Sequence, residues 1–210
     1  FTASKSRRIP FINESNSFIF NSNIEQKNSS NIDFTNFEYG NGFIWNNFIN
    51  NINSEKITYN LNGLVKLQDD TTCSNLIKTV HNAQSSISDI NYKHSLKDSS
   101  KAVFKAKSLV NETALFTKAF QNTNTILLSD DAVIFAQPHL EINIDELEAS
   151  HGATTGTLDK EQLLYLESRG IPKELAYDIL LKAFEEKIAN NIKDEIIKEF
   201  IETYERSKYV

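Results

Sequence analysis

From Ile57 onward, apolar and polar positions alternate: Ile57, Tyr59 and Leu61 are separated by polar residues, and Val65 and Leu67 extend the series. A period of two marks a strand with one buried face. Comparable apolar runs recur at Ala102-Val103-Phe104, Ser108-Leu109-Val110, Thr125-Ile126-Leu127-Leu128, Ala132-Val133-Ile134-Phe135 and Leu140-Glu141-Ile142-Asn143-Ile144. Polar turns such as Lys97-Asp98-Ser99-Ser100 and Ser129-Asp130-Asp131 divide them. The pattern predicts an all-β body. A solenoid of stacked short strands, each coil burying its apolar side against the next, fits it. A two-sheet sandwich fits it too, and periodicity alone does not separate the two.

Upstream, to about Asn62, the chain is rich in Asn and Ser, with short apolar clusters at Phe11-Ile12, Phe18-Ile19-Phe20, Phe34, Phe37-Glu38-Tyr39 and Phe43-Ile44-Trp45. These predict short strands with turns between them. The recurrent aromatics argue against a disordered segment.

The pattern changes near Leu158. Asp159 followed by Gln162 resembles a capping box, and Leu163, Leu164, Tyr165 and Leu166 supply the apolar part of a first helix. Arg169-Gly170 provides a terminal cation and a left-handed cap. Pro172 opens a second helix at its first position, with Ala176, Ile179, Leu180, Ala183 and Phe184 on one face. Asp194 starts a third, striped by Ile196, Ile197, Phe200, Ile201 and Tyr204. The expectation is a β body over 1–157 and a small helical bundle over 158–210.

Composition narrows the function classes. The net charge is -6, which argues against general nucleic-acid binding, although Ser6-Arg7-Arg8 is locally basic. No apolar run approaches the roughly 20 residues of a membrane helix, and no secretory leader is visible. There is one cysteine, Cys73. It allows no internal disulfide, which fits a reducing cytoplasm, and it cannot by itself form a four-cysteine zinc or iron–sulfur site. No phosphate-binding loop of the G-x-x-x-x-G-K-S/T kind is present.

The most specific stretch runs from Pro138-His139-Leu140-Glu141-Ile142 through Ser150-His151-Gly152-Ala153-Thr154-Thr155-Gly156-Thr157-Leu158-Asp159. It continues through Gln162-Leu163-Leu164-Tyr165-Leu166 to Ser168-Arg169-Gly170-Ile171-Pro172. In order and spacing it resembles the signature of the SufB/SufD family of the SUF iron–sulfur cluster assembly system. Gly152 after the histidine is similar to the SufD branch. The resemblance covers about residues 75 to 185. It departs from the family at Ala106, where glycine is usual, and at Ala149, where a cysteine often stands.

The resemblance implies a right-handed parallel β-helix followed by a helical lobe, and a scaffold rather than an enzyme. It implies pairing with a SufB-type subunit, or with a second copy, through the β-helix end. It also implies docking of a SufC-type ATPase on the helical lobe, with Leu163, Tyr165, Leu166, Arg169, Gly170, Ile179 and Phe184 as candidate contacts. His151 is then the candidate cluster and interface residue, an imidazole able to ligate iron jointly with a partner. Otherwise it would only brace a tight turn at Gly152. No cofactor is expected on the chain alone; a transient iron–sulfur cluster at the partner interface is. The chain opens at Phe1 without any methionine and family members are longer, so an N-terminal part is expected to be missing.

The remaining candidates carry blander expectations. Cys73 reads as a small buried hydrophobe, and His81 as stacked inside a coil. His94 and His139 carry no assigned role. Glu141, Asp145, Glu146 and Glu148 read as a solvated strand edge. The competing functions are a polysaccharide-acting β-helix enzyme using Glu141 and Asp145, four apart on one strand face, and a plain structural solenoid.

Overall fold

The structure is a computed structural model that describes residues 17–208 apart from 41 and 193. Phe11-Ile12, Ser6-Arg7-Arg8 and the side chain of Tyr204 lie outside the described residues. Ten strands come first: β1 (Phe18–Gln26), β2 (Asn31–Gly40), β3 (Phe43–Ile52), β4 (Thr58–Leu67), β5 (Thr72–His81), β6 (Ile87–Leu96), β7 (Lys101–Val110), β8 (Lys118–Leu127), β9 (Val133–Ile142) and β10 (Glu148–Gly156). Three helices follow: α1 (Lys160–Ser168), α2 (Lys173–Ala189) and α3 (Glu195–Lys208).

Odd strands form one sheet in the order β1-β3-β5-β7-β9, and even strands form the other in the order β10-β8-β6-β4-β2. We call them sheet A and sheet B. All pairs are parallel. That excludes the sandwich, whose neighbouring strands run antiparallel. The chain winds as a two-sided solenoid, and each coil rests on the one before. The repeat is visible at one corner, where Asn82 Nδ2 donates to Asn53 Oδ1 29 residues earlier, at 2.8 Å. Asn111 Nδ2 donates to Asn82 Oδ1, again 29 residues earlier, at 2.6 Å.

The strands are about twice as long as the apolar runs that predicted them, because the interior is only partly apolar. In register, Ile44 stacks on Cys73 and Ala102, and Phe48 on Ile77 and Ala106. Between these rows run buried polar positions. Asn46 Nδ2 donates to Asn75 Oδ1 at 3.0 Å and to Glu38 Oε1 at 2.9 Å, and Asn50 Nδ2 donates to Gln26 Oε1 at 2.6 Å. Pairing satisfies the amide N–H groups, though Asn50 Oδ1 has no partner, and these polar positions break the hydrophobic periodicity. That is why β5 and β6 carried no clear strand signal.

The helices do not form a bundle with its own core, contrary to the sequence expectation. α1 buries no residue. Ile188 of α2 and Ile201 of α3 pack against Phe37, Tyr39 and Leu64 on the outer face of sheet B. The helix caps follow the sequence more closely. Asp159 Oδ1 accepts from the N–H groups of Glu161 and Gln162 at 2.8 and 3.2 Å, and Asp194 Oδ1 accepts from Ile196 and Ile197 at 3.1 and 3.3 Å. Gly170 takes φ 85°. Its N–H reaches Glu167 O at 2.9 Å and that of Ile171 reaches Leu166 O at 3.2 Å, the paired bonds of a Schellman motif. Pro172 stands one place earlier than expected, at the N-cap of α2.

Candidate functional site

Each sheet is an open ladder, so the solenoid has ends. β9 closes sheet A and β10 closes sheet B, ten and nine residues long. An edge of that length presents a row of backbone donors and acceptors ready for another strand. Pro138 lies in β9, and a proline in a parallel strand fits at an edge, where its missing N–H breaks the fewest bonds.

His151 belongs to this end. The register runs Phe34, Leu61, Ile90, Gln121, His151 through successive coils of sheet B. The first four are buried and His151 is exposed. The position is the same in every coil; only the last lacks a coil above it. Ala153 and Thr155 continue neighbouring inward rows and are exposed for the same reason. Facing them across the end, Ala136, Pro138 and Leu140 of β9 are half-buried. Below, Gln121 bridges the two sheets: its Nε2 donates to His139 O and its Oε1 accepts from His139 N–H, each at 3.2 Å. The tight turn expected at Gly152 does not exist. His151 and Gly152 lie within β10, and the positive-φ residues do not include Gly152.

The acidic residues nearby are engaged or scattered. Glu141 pairs with Lys107 at 2.5 Å and Glu148 with Lys118 at 2.8 Å. The hydrogen bond and charge of Lys107 hold Glu141 below the usual carboxylate range. Asp145 falls in the turn after β9, not on it. The same-face carboxylate pair that a polysaccharide-acting enzyme needs is therefore not assembled. Among the described residues, no three His, Cys, Asp or Glu side chains converge as a metal site.

Cys73 is fully buried, with Asn75 Nδ2 donating to its Sγ at 3.4 Å. It lies in β5, two coils from the open end. His81 is buried between two hydroxyls, Ser86 Oγ at 2.7 Å from Nδ1 and Ser88 Oγ at 2.9 Å from Nε2. It is hydrogen-bonded rather than stacked, and burial lowers its pKa to about 4. His94 is buried against Tyr92 and Phe104, and burial lowers its pKa to about 3. His139 is exposed.

The candidate docking residues fall on the α1–α2 hairpin. Tyr165, Arg169, Gly170 and Ile179 are exposed, and Leu163 and Leu166 are half-buried. The Arg169 guanidinium lies 5.1 Å from the Tyr165 ring centroid. Phe184 has another job: Lys93 Nζ sits 4.4 Å over its ring and donates to its carbonyl, which ties α2 to sheet B. Two residues that the sequence did not name as docking candidates are also exposed on the hairpin, Leu164 at 64% and Leu175 at 51%. The sequence placed Leu164 in the apolar part of a first helix, and α1 buries no residue.

Residues 10–184 match the model of the SUF system FeS cluster assembly SufBD core domain. The chain belongs to the SufB/SufD family. It is SufD-like: it is 30% identical to the iron–sulfur cluster assembly protein SufD of Escherichia coli over 78% of this chain and 38% of that protein. It is 35% identical to SufD of Bacillus subtilis over 49% of this chain and 24% of that protein. A SufBD family protein of Synechocystis is 38% identical over 43% of this chain and 20% of its own length. The chain thus spans well under half the length of these relatives. No described helix is long and apolar enough to cross a membrane.

Proposed function

We propose that this chain is a non-catalytic scaffold subunit of SUF iron–sulfur cluster assembly. Its open solenoid end pairs with a SufB-type subunit or a second copy of itself, and its α1–α2 hairpin docks a SufC-type ATPase. The observation that carries the reading is the end itself. Two unpaired sheet edges and an inward-facing row that surfaces at His151 lie together on one face. A strand-bearing partner would pair the edges. It would also bury the imidazole where a second protein could complete an iron ligand set.

The cluster is cargo in this scheme. His151 supplies at most one ligand; the partner supplies the others. The hairpin face of Leu164, Tyr165, Leu175 and Ile179 is an unpartnered apolar surface of the kind that marks a protein contact. ATP hydrolysis belongs to the docked ATPase and not to this chain. A cytoplasmic location goes with the role.

The test is a pull-down of the chain with SufB-type and SufC-type proteins from one source, followed by gel filtration. A stable assembly holding both supports the scaffold. His151→Ala should assemble normally yet slow cluster formation. ATP hydrolysis by the pure chain, or failure to hold either partner, would refute the reading.

A further inference from the structure

Between the outer face of sheet B and the helices laid on it lies a cavity of about 600 Å³. Its floor is charged at both ends. Asp89, Asn91 and Lys93 follow one another along the outward side of β6, and all three line it. Four residues take the strand from Asp89 to Lys93, about 13 Å at the ~3.3 Å rise of a parallel strand. Register sets Asn60 and Asn62 of β4 beside Asp89 and Asn91, and Asn122 and Asn124 of β8 beside Asn91 and Lys93. These four amides line the cavity as well, and Ile192 and Ile197 give it an apolar wall on the helix side.

The cationic end lacks a counter-charge. Lys187, in the last turn of α2, lines the cavity together with Lys93. Burial, and after it the charge of Lys187, lowers the Lys93 pKa. Lys93 donates to the Phe184 carbonyl, which carries no net charge, and the nearby Glu185 is taken by Lys66 and Ser95. Among the described residues no carboxylate pairs with Lys93 or Lys187. In a chain of net charge -6, two neighbouring ammonium groups left without a carboxylate suit an anion from another molecule. At the far end, Asp89 accepts from Asn91 at 2.8 Å, and a carboxylate has room for about three bonds more.

We propose that this cavity binds a short extended peptide of about four residues, with its free carboxylate on Lys93 and Lys187 and its free ammonium on Asp89. The length follows from the spacing of the charges, and the direction from their signs. The asparagines between the ends offer both donors and acceptors, which is what the N–H and C=O groups of a peptide require. The inference does not rest on the end-to-end or ATPase-docking readings above.

The experiment is calorimetric titration of the full chain with tetra-alanine, its N-acetylated form, its C-amidated form and inorganic phosphate. Tetra-alanine should bind, and each blocked form should bind about tenfold more weakly. Lys187→Gln should lose the preference for the free carboxylate and keep that for the free ammonium. Asp89→Asn should do the reverse. Each variant is judged by a ratio between two ligands, so a damaged fold, which would remove both preferences together, is not mistaken for the expected result. No binding of tetra-alanine, equal binding of free and blocked forms, or both preferences unchanged in both variants would overturn the proposal. So would phosphate bound as tightly as the peptide, which would reduce the site to a patch of positive charge.

Discussion

Lys66 of β4 and Glu185 of α2, 119 positions apart, form a buried ion pair at 2.8 Å on the outer face of sheet B. Ser95 Oγ donates to the other Glu185 oxygen at 2.7 Å. The pair fixes where α2 lies, since each charge is tolerable out of water only with its partner present. Glu185→Ala should cost about 3–5 kcal/mol in urea unfolding by leaving Lys66 buried and uncompensated. The apolar double replacement Lys66→Met with Glu185→Leu should recover most of that loss. If the double variant is as unstable as the single one, the pair is not what holds the helix.

Gly63 and Tyr92 face each other in register across β4 and β6. A Cβ on Gly63 would come within 2.2 Å of the Tyr92 ring, and that ring is fully buried against Phe104 at a centroid distance of 5.1 Å. Gly63→Ala should therefore destabilise by about 1–3 kcal/mol through overpacking. Tyr92→Leu in the same chain should relieve part of it. A neutral Gly63→Ala would mean that the ring has room to move.

His81 and His94 should make the fold acid-sensitive. Burial is the cause in both, lowering them from the ordinary 6.5 to about 4 and about 3. Between the native and unfolded values, the unfolded chain binds protons that the native chain refuses. Stability therefore falls as pH drops below about 6.5, by up to about 1.4 kcal/mol per pH unit for each imidazole. The loss levels off below the native values. Urea unfolding at about pH 7 and about pH 5.5 measures it. His94→Phe should remove close to half of the difference, and an unchanged pH dependence would contradict the assignment.

The α1–α2 hairpin should tolerate charge without unfolding. α1 buries nothing, and Leu164 and Tyr165 are 64% and 58% exposed. Leu164→Glu and Tyr165→Glu should each shift stability by no more than about 0.5 kcal/mol. Both should abolish capture of a SufC-type ATPase on a resin. Retained capture by the double variant would move the docking surface elsewhere.

Legibility differed from element to element. β4 was plain because Ile57, Tyr59, Leu61, Val65 and Leu67 keep one alternating phase, broken only where Gly63 takes the inward place. β5 and β6 were not, because buried polar side chains interrupt their apolar positions: Asn75 accepts from Asn46, Ser88 bonds His81, His94 bonds Thr123, and Thr79 is buried as well. The helix caps at Asp159 and Gly170 were readable because capping is a local matter of one side chain or one φ angle. The candidate site was legible as a motif around His151, but its environment was not. A strand residue looks the same in one sequence whether its coil is covered or last.

Local periodicity, turn chemistry and the Pro138–Pro172 motif string thus determined on their own that the chain is a β body with a helical C-terminal part, of the SufB/SufD kind. Only the tertiary structure decided that the helices lie on sheet B through Lys66–Glu185, that α1 buries no residue, and that His151 surfaces at the open end. Those outcomes depend on which coil is last and on contacts between residues about a hundred positions apart, and neither is encoded within the span of a single turn of chain.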